Sequence, residues 1–103
     1  MKVKLTVKDR ILIANLYPNE ADLVTQILVR DISKKVDFSQ EEIKNIELKL
    51  AGVGRYVWNS DAPDLEVNFT EKELTLLRNQ IGKLDRQKKI TQNMLDLVLK
   101  LKG

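Results

Sequence analysis

The sequence predicts an α+β domain in which three N-terminal helices precede a three-stranded antiparallel meander and a C-terminal helical hairpin. Three observations predict it. Helix-start signals recur along the chain, apolar residues follow a 3.6-residue period in the outer thirds, and the period changes to two in the middle.

The first helix is expected over about residues 6–17. Thr6 and Asp9 have the spacing of a helix-capping pair, and Pro18 cannot continue a helix interior. A second helix is expected over 20–36, with Leu23, Val24, Ile27, Leu28, Ile32 and Val36 as its core-facing positions. Ser39 and Glu42 form a capping box for a short third helix over 40–46, and Phe38 and Ile43 can close it as a hydrophobic staple.

From Ile46 the pattern alternates. Ile46, Leu48 and Leu50 are separated by Glu47 and Lys49, and Gly52-Val53-Gly54 then leads into Arg55-Tyr56-Val57-Trp58. Two such runs around a glycine-rich turn read as a β-hairpin. Asn59 to Asp64 has loop composition, and Leu65, Val67 and Phe69 complete the meander as a third strand. Thr70 and Glu73 make another capping box, with Phe69 and Leu74 as its staple. It opens a helix over 71–87 whose seam is Leu74, Leu77, Ile81 and Leu84. The last helix, over 92–101, starts at the weaker signal of Thr91 and carries Leu95, Val98, Leu99 and Leu101. The short break between these two helices makes them antiparallel neighbours.

The 103 residues fit one domain, with 43% hydrophobic and 32% charged side chains. The chain has no cysteine and no histidine. Disulfide frameworks, thiolate metal sites, Ser-His-Asp triads and Cys-His dyads are therefore excluded, and a reducing, cytoplasmic compartment is expected. The sequence offers no arrangement of its remaining acids, lysines and tyrosines that marks an enzyme, and it implies no cofactor and no metal. No apolar run is long enough for a signal-peptide core or a membrane span. Net charge is +3, divided as +3, −4 and +4 over residues 1–35, 36–70 and 71–103. That bipolar pattern differs from the uniformly basic surface of a dedicated nucleic-acid binder.

Gly52 and Gly54 lack the third glycine and the Lys-Ser/Thr pair of phosphate loops, so they read as turn residues. The adjacent Glu41 and Glu42 point about 100° apart on a helix and suit its first turn better than acid–base chemistry. Tyr56 and Trp58 share one face of their strand, either as an aromatic core or as an exposed stacking platform, and a core role is the expectation. Arg55 and Asn59 flank them as the polar groups of a binding surface. Arg30 interrupts the second helix, and Arg86, Lys88 and Lys89 cluster at the tip of the helical hairpin, where they can meet phosphate or an acidic partner.

The order of three helices followed by a hairpin is also that of a winged helix-turn-helix, although Glu41, Glu42 and Glu47 against Lys44 oppose phosphate binding. Leu5-Thr6-Val7-Lys8 with Arg10, Pro18, Arg30-Asp31, Phe38-Ser39 with Glu41-Glu42, Trp58-Asn59 and the Leu- and Lys-rich C-terminal helices together resemble a group of small phage- and prophage-encoded proteins. The resemblance runs in order over most of the chain. It implies an accessory protein of the host bacterial cytoplasm and supplies no catalytic or binding residues. A protein-binding accessory factor is therefore the first expectation. A winged-helix-like DNA-binding regulator is the second, and a small nucleotide-binding, signal-sequestering protein using Arg55, Tyr56 and Trp58 is the third. A homodimer through the Leu74–Leu84 seam is an open possibility.

Overall fold

A computed structural model describes residues 1–102. The chain opens as a strand, β1 (Lys2–Leu5), where the sequence suggests none. Val3 and Leu5 are buried while Lys2 and Lys4 face solvent, so four residues suffice for the period-two pattern. Helix α1 covers Val7–Leu12 and tightens into a 3₁₀ turn over Ile13–Leu16 before Pro18. Helix α2 covers Leu23–Val36, starting later than expected because Asp22 is its cap: the Asp22 carboxylate accepts the Thr25 N–H. The Thr25 side chain, and to a lesser degree this backbone bond, hold the Asp22 carboxyl below its ordinary pKa. Helix α3 covers Gln40–Asn45, strands β2 and β3 cover Lys49–Gly52 and Arg55–Val57, and β4 covers Leu65–Asn68. Helix α4 covers Glu71–Arg86, and α5 covers Leu95–Lys102 after a 3₁₀ turn at Gln92–Met94.

The α+β class holds, but the meander does not. The strands form two separate antiparallel pairs, β1 with β4 and β2 with β3. Strand β4 pairs with β1 in the register Val3 to Val67 and Leu5 to Leu65. The reason is burial. Pairing β4 with β1 puts four apolar side chains on one shared face, whereas the hairpin offers only exposed residues to a neighbour. The core lies under this ribbon, built from Leu5, Ile13, Leu16, Ile32, Val36, Phe69, Leu77, Ile81, Leu97 and Leu101 among others. The seam residues Leu74, Leu77 and Ile81 are buried inside the chain, so the seam is not a free dimer surface.

Two expected core faces need correction. On α2 only Ile32 and Val36 are fully buried, whereas Leu23 is 76% and Val24 65% exposed, and Ile27 is also open to solvent. The periodicity is real, but in the first two turns α4 lies along the side of Thr25 and Leu28 and leaves Leu23, Val24 and Ile27 uncovered. On α5 the buried residues are Leu97, Val98 and Leu101, while Leu95 and Leu99 are exposed.

The segment read as alternating from Ile46 begins as a helix end. Glu47 has φ 55°, the Leu48 N–H donates to the Ile43 carbonyl at 3.0 Å, and the Glu47 N–H to that of Lys44 at 3.4 Å. This is a Schellman closure with glutamate where glycine is usual. The end of α4 repeats it. Lys88 has φ 56°, Lys89 N–H donates to Leu84 O at 2.9 Å, and Lys88 N–H to Asp85 O at 3.0 Å. The hairpin turn forms at Val53-Gly54, where Gly54 takes φ 71°, and a bulge lies between Leu50 and Gly52.

Candidate functional site

Three capping boxes form as their spacing requires, at Thr6/Asp9, Ser39/Glu42 and Thr70/Glu73. Each box carboxylate also holds a cation from a distant element. Lys100 of α5 donates to Asp9 at 2.5 Å, Arg10 of α1 to Glu42 at 2.8 Å, and Lys35 of α2 to Glu73 at 2.5 Å. Asp9 and Glu73 are buried, and pairing offsets the desolvation cost of their charges.

Arg10 is the most constrained of these side chains. It is 6% exposed, and its Nε donates to the Val36 carbonyl at 2.8 Å. Its terminal nitrogens reach the Asp37 carbonyl and both Glu42 oxygens, and its guanidinium carbon lies 3.9 Å from the Phe38 ring centroid. One cation thus closes the end of α2, the connection and the start of α3. The hydrogen bond from Arg10 holds the Glu42 carboxyl below the usual glutamate range, opposed by partial burial. Burial pushes the Tyr17 hydroxyl up and Asp37 adds to the rise, while the nearby Ser33 acts the other way. Among the described residues no well-aligned hydrogen bond reaches that hydroxyl.

These charged groups are structural. Sequence reasoning missed the set because a capping acid is explained locally, and nothing in the chain marks which base will reach it. The signal available was the run of three acids at the third helical position, each of which retains a free lone pair after capping.

The hairpin gathers Arg55, Tyr56, Trp58 and Asn59. Arg55 is exposed on β3, and Tyr56 is 46% exposed opposite Leu50. Trp58 is half-buried. The expected aromatic core at this pair is thus not formed, and Phe69 is the buried aromatic instead. Tyr56 and Trp58, with Lys8, Leu12 and Gly54, line a cleft of about 170 Å³ between the hairpin and α1. Lys8 was not anticipated there, because the pairing of hairpin and helix is not local in sequence. Asn59 is committed to the turn: its side chain accepts the Asp61 N–H at 3.0 Å, and its own N–H donates to the Ile46 carbonyl at 2.7 Å.

The other expected contacts lie elsewhere. Arg30 is exposed on α2 and sits 3.4 Å from its neighbour Asp31. Arg86, Lys88 and Lys89 are exposed where α4 ends, with Lys88 in the left-handed closing position. Neither group lines the hairpin cleft.

Among the described residues the outer edges of β2 and β3 carry no strand partner, and every residue of both strands is exposed. Leu50, Val53, Tyr56 and Val57 are large apolar residues of the hairpin left exposed, with Leu50 and Tyr56 paired across the strands. Among the described residues, no three His, Cys, Asp or Glu side chains gather to hold a metal ion, and no helix is long and apolar enough to cross a membrane. No protein-family model, curated protein or solved structure matches this chain.

Proposed function

We propose that the chain is a non-enzymatic, phage-type accessory protein that binds a host or viral protein through the β2–β3 hairpin. The observation that carries the reading is an apolar two-stranded ribbon with both edges open. A lone two-stranded hairpin is marginal in water, and an unpaired edge is a template for an added strand. A partner strand would satisfy the edge, and Tyr56 and Val57 would anchor it, since aromatic side chains dominate interface cores.

The test is affinity capture from bacterial lysate with wild type and a Tyr56→Ser/Val57→Lys variant, both checked for unchanged circular dichroism. A discrete partner retained by wild type and lost by the variant supports the reading. The same catch on both proteins sinks it.

DNA binding in the manner of a winged helix is the second reading. It is favoured by one observation: α2 and α3 are joined by only residues 37–39, and the hairpin follows directly. Helix α3 has six residues, about 9 Å, and exposes Glu41 beside Lys44. That face neutralises few phosphates, so the reading predicts duplex binding that is weak and only shallowly salt-dependent. Nucleotide sequestration has less support, because the hairpin cleft is smaller than the roughly 300 Å³ at which ligand pockets begin.

A further inference from the structure

We infer that α2 is the self-association surface of this protein, with the outer faces of two α2 helices packed antiparallel about a two-fold axis. Leu23, Ile27, Arg30 and Lys34 recur at intervals of four, three and four residues, and so lie within roughly 60° of one another around the helix. All four are exposed. The face is ordered along its length. Acidic groups stand at its start, with Glu20 two residues before the Asp22 cap; Leu23 and Ile27 follow, and Arg30 and Lys34 end it.

A face that runs from acid through apolar to base is complementary to itself only when the copy runs the other way. A two-fold axis at residue 25 places Leu23 of one copy against Ile27 of the other. At about 1.5 Å of rise per residue the same axis sets Arg30 of each copy about 4.5 Å beyond Leu23, the first helical residue of the other, on the side of the non-helical lead-in that carries the acidic Glu20 and Asp22. Parallel packing would set Arg30 against Arg30. Antiparallel helices also oppose their dipoles favourably. Val24, 65% exposed, extends the apolar stripe toward a groove of about 520 Å³ lined by Thr25, Leu28, Thr75 and Leu76, which widens the surface beyond a single helix ridge. The pair Arg30–Asp31, at 3.4 Å and exposed, is weak enough to exchange for the intermolecular one.

This surface is independent of the hairpin. Sedimentation velocity over about 1–500 µM protein reads it, since one-helix interfaces lie at the weak end of stable association. Wild type is expected to shift to dimer as concentration rises, and Ile27→Asp to remain monomeric. Val53→Asp on the hairpin is expected to dimerise as wild type does. Glu20→Arg and Arg30→Glu are each expected to weaken self-association about threefold or more, and an equimolar mixture of the two to recover it, because both contacts then become opposite in sign. Wild type that stays monomeric throughout overturns the inference, as does Ile27→Asp that dimerises normally. Charge variants whose mixture shows no recovery overturn the antiparallel arrangement, and they do so even if Ile27→Asp fails to fold.

Discussion

Arg10 shows how much one side chain can hold. Its donors are spread over two carbonyls and a carboxylate on three consecutive pieces of chain. Arg10→Ala leaves those acceptors without a donor and is expected to cost about 3 kcal/mol, the low end for breaking a buried pair, because Glu42 is partly open to water. Arg10→Lys should recover only part of this, since an ammonium cannot reproduce the fork. Urea unfolding of the three proteins checks the order. The same pair gives a pH signature. The folded-state pKa of Glu42 is depressed, so its contribution is present above the unfolded value of about 4.3 and is lost as pH falls through the lower folded value. Wild type should lose stability more steeply than Arg10→Ala below about pH 4.3, and parallel slopes would contradict the role given to Arg10. Tyr17 supplies the opposite case. Its buried hydroxyl lacks a well-aligned partner, so Tyr17→Phe should leave stability unchanged or raise it by up to about 1 kcal/mol, read as a shift in thermal midpoint.

Helix ends explain both what could be read from the sequence and what could not. The three boxes were legible because each is a local pattern, and all three helices begin within a residue of the expected place. The closures of α3 and α4 were hidden because Glu47 and Lys88 occupy the left-handed position usually signalled by glycine. Leu48 therefore looked like a strand residue when it seals a helix. A lysine held at positive φ is costly, so Lys88→Gly should stabilise the protein by about 0.5–1 kcal/mol, measured by chemical unfolding; a loss would show that the lysine side chain matters more than its backbone. Strand β1 was missed for another reason. Four residues ahead of a cap carry too little periodicity to announce themselves, and their partners lie 60 to 66 residues away. The candidate site was legible in part. Arg55, Tyr56 and Trp58 do share the hairpin, but their exposure depends on which strands pair, and the sequence favoured the wrong pairing.

At the scale of the molecule, the pairing of β1 with β4 separates the chain into a frame and an excursion. The frame contains the helices α1, α2, α4 and α5 with the β1–β4 ribbon, and it holds nearly all of the buried apolar residues. The excursion runs from α3 to the end of β3, and Ile46 is its only fully buried hydrophobic side chain among the described residues. Replacing residues 49–57 with a short Gly-Ser link should therefore lower the unfolding free energy by less than about 1 kcal/mol, because loop closure depends only weakly on length. Circular dichroism and urea titration of the shortened chain check it, and a collapse of cooperativity would show that the hairpin belongs to the core.

The β1–β4 ribbon also carries an evolutionary consequence. Because the excursion hangs between α2 and β4, which are held to each other by Lys35 Nζ donating to the Asn68 carbonyl at 3.0 Å, and β4 is fastened in turn to β1, the frame registers little of the hairpin at the far end of the excursion. Substitutions, insertions or a wholesale exchange of the hairpin meet little resistance from folding, while residues of the ribbon do. On the proposed binding role of the hairpin, such a chain can vary that surface at speed and keep its scaffold.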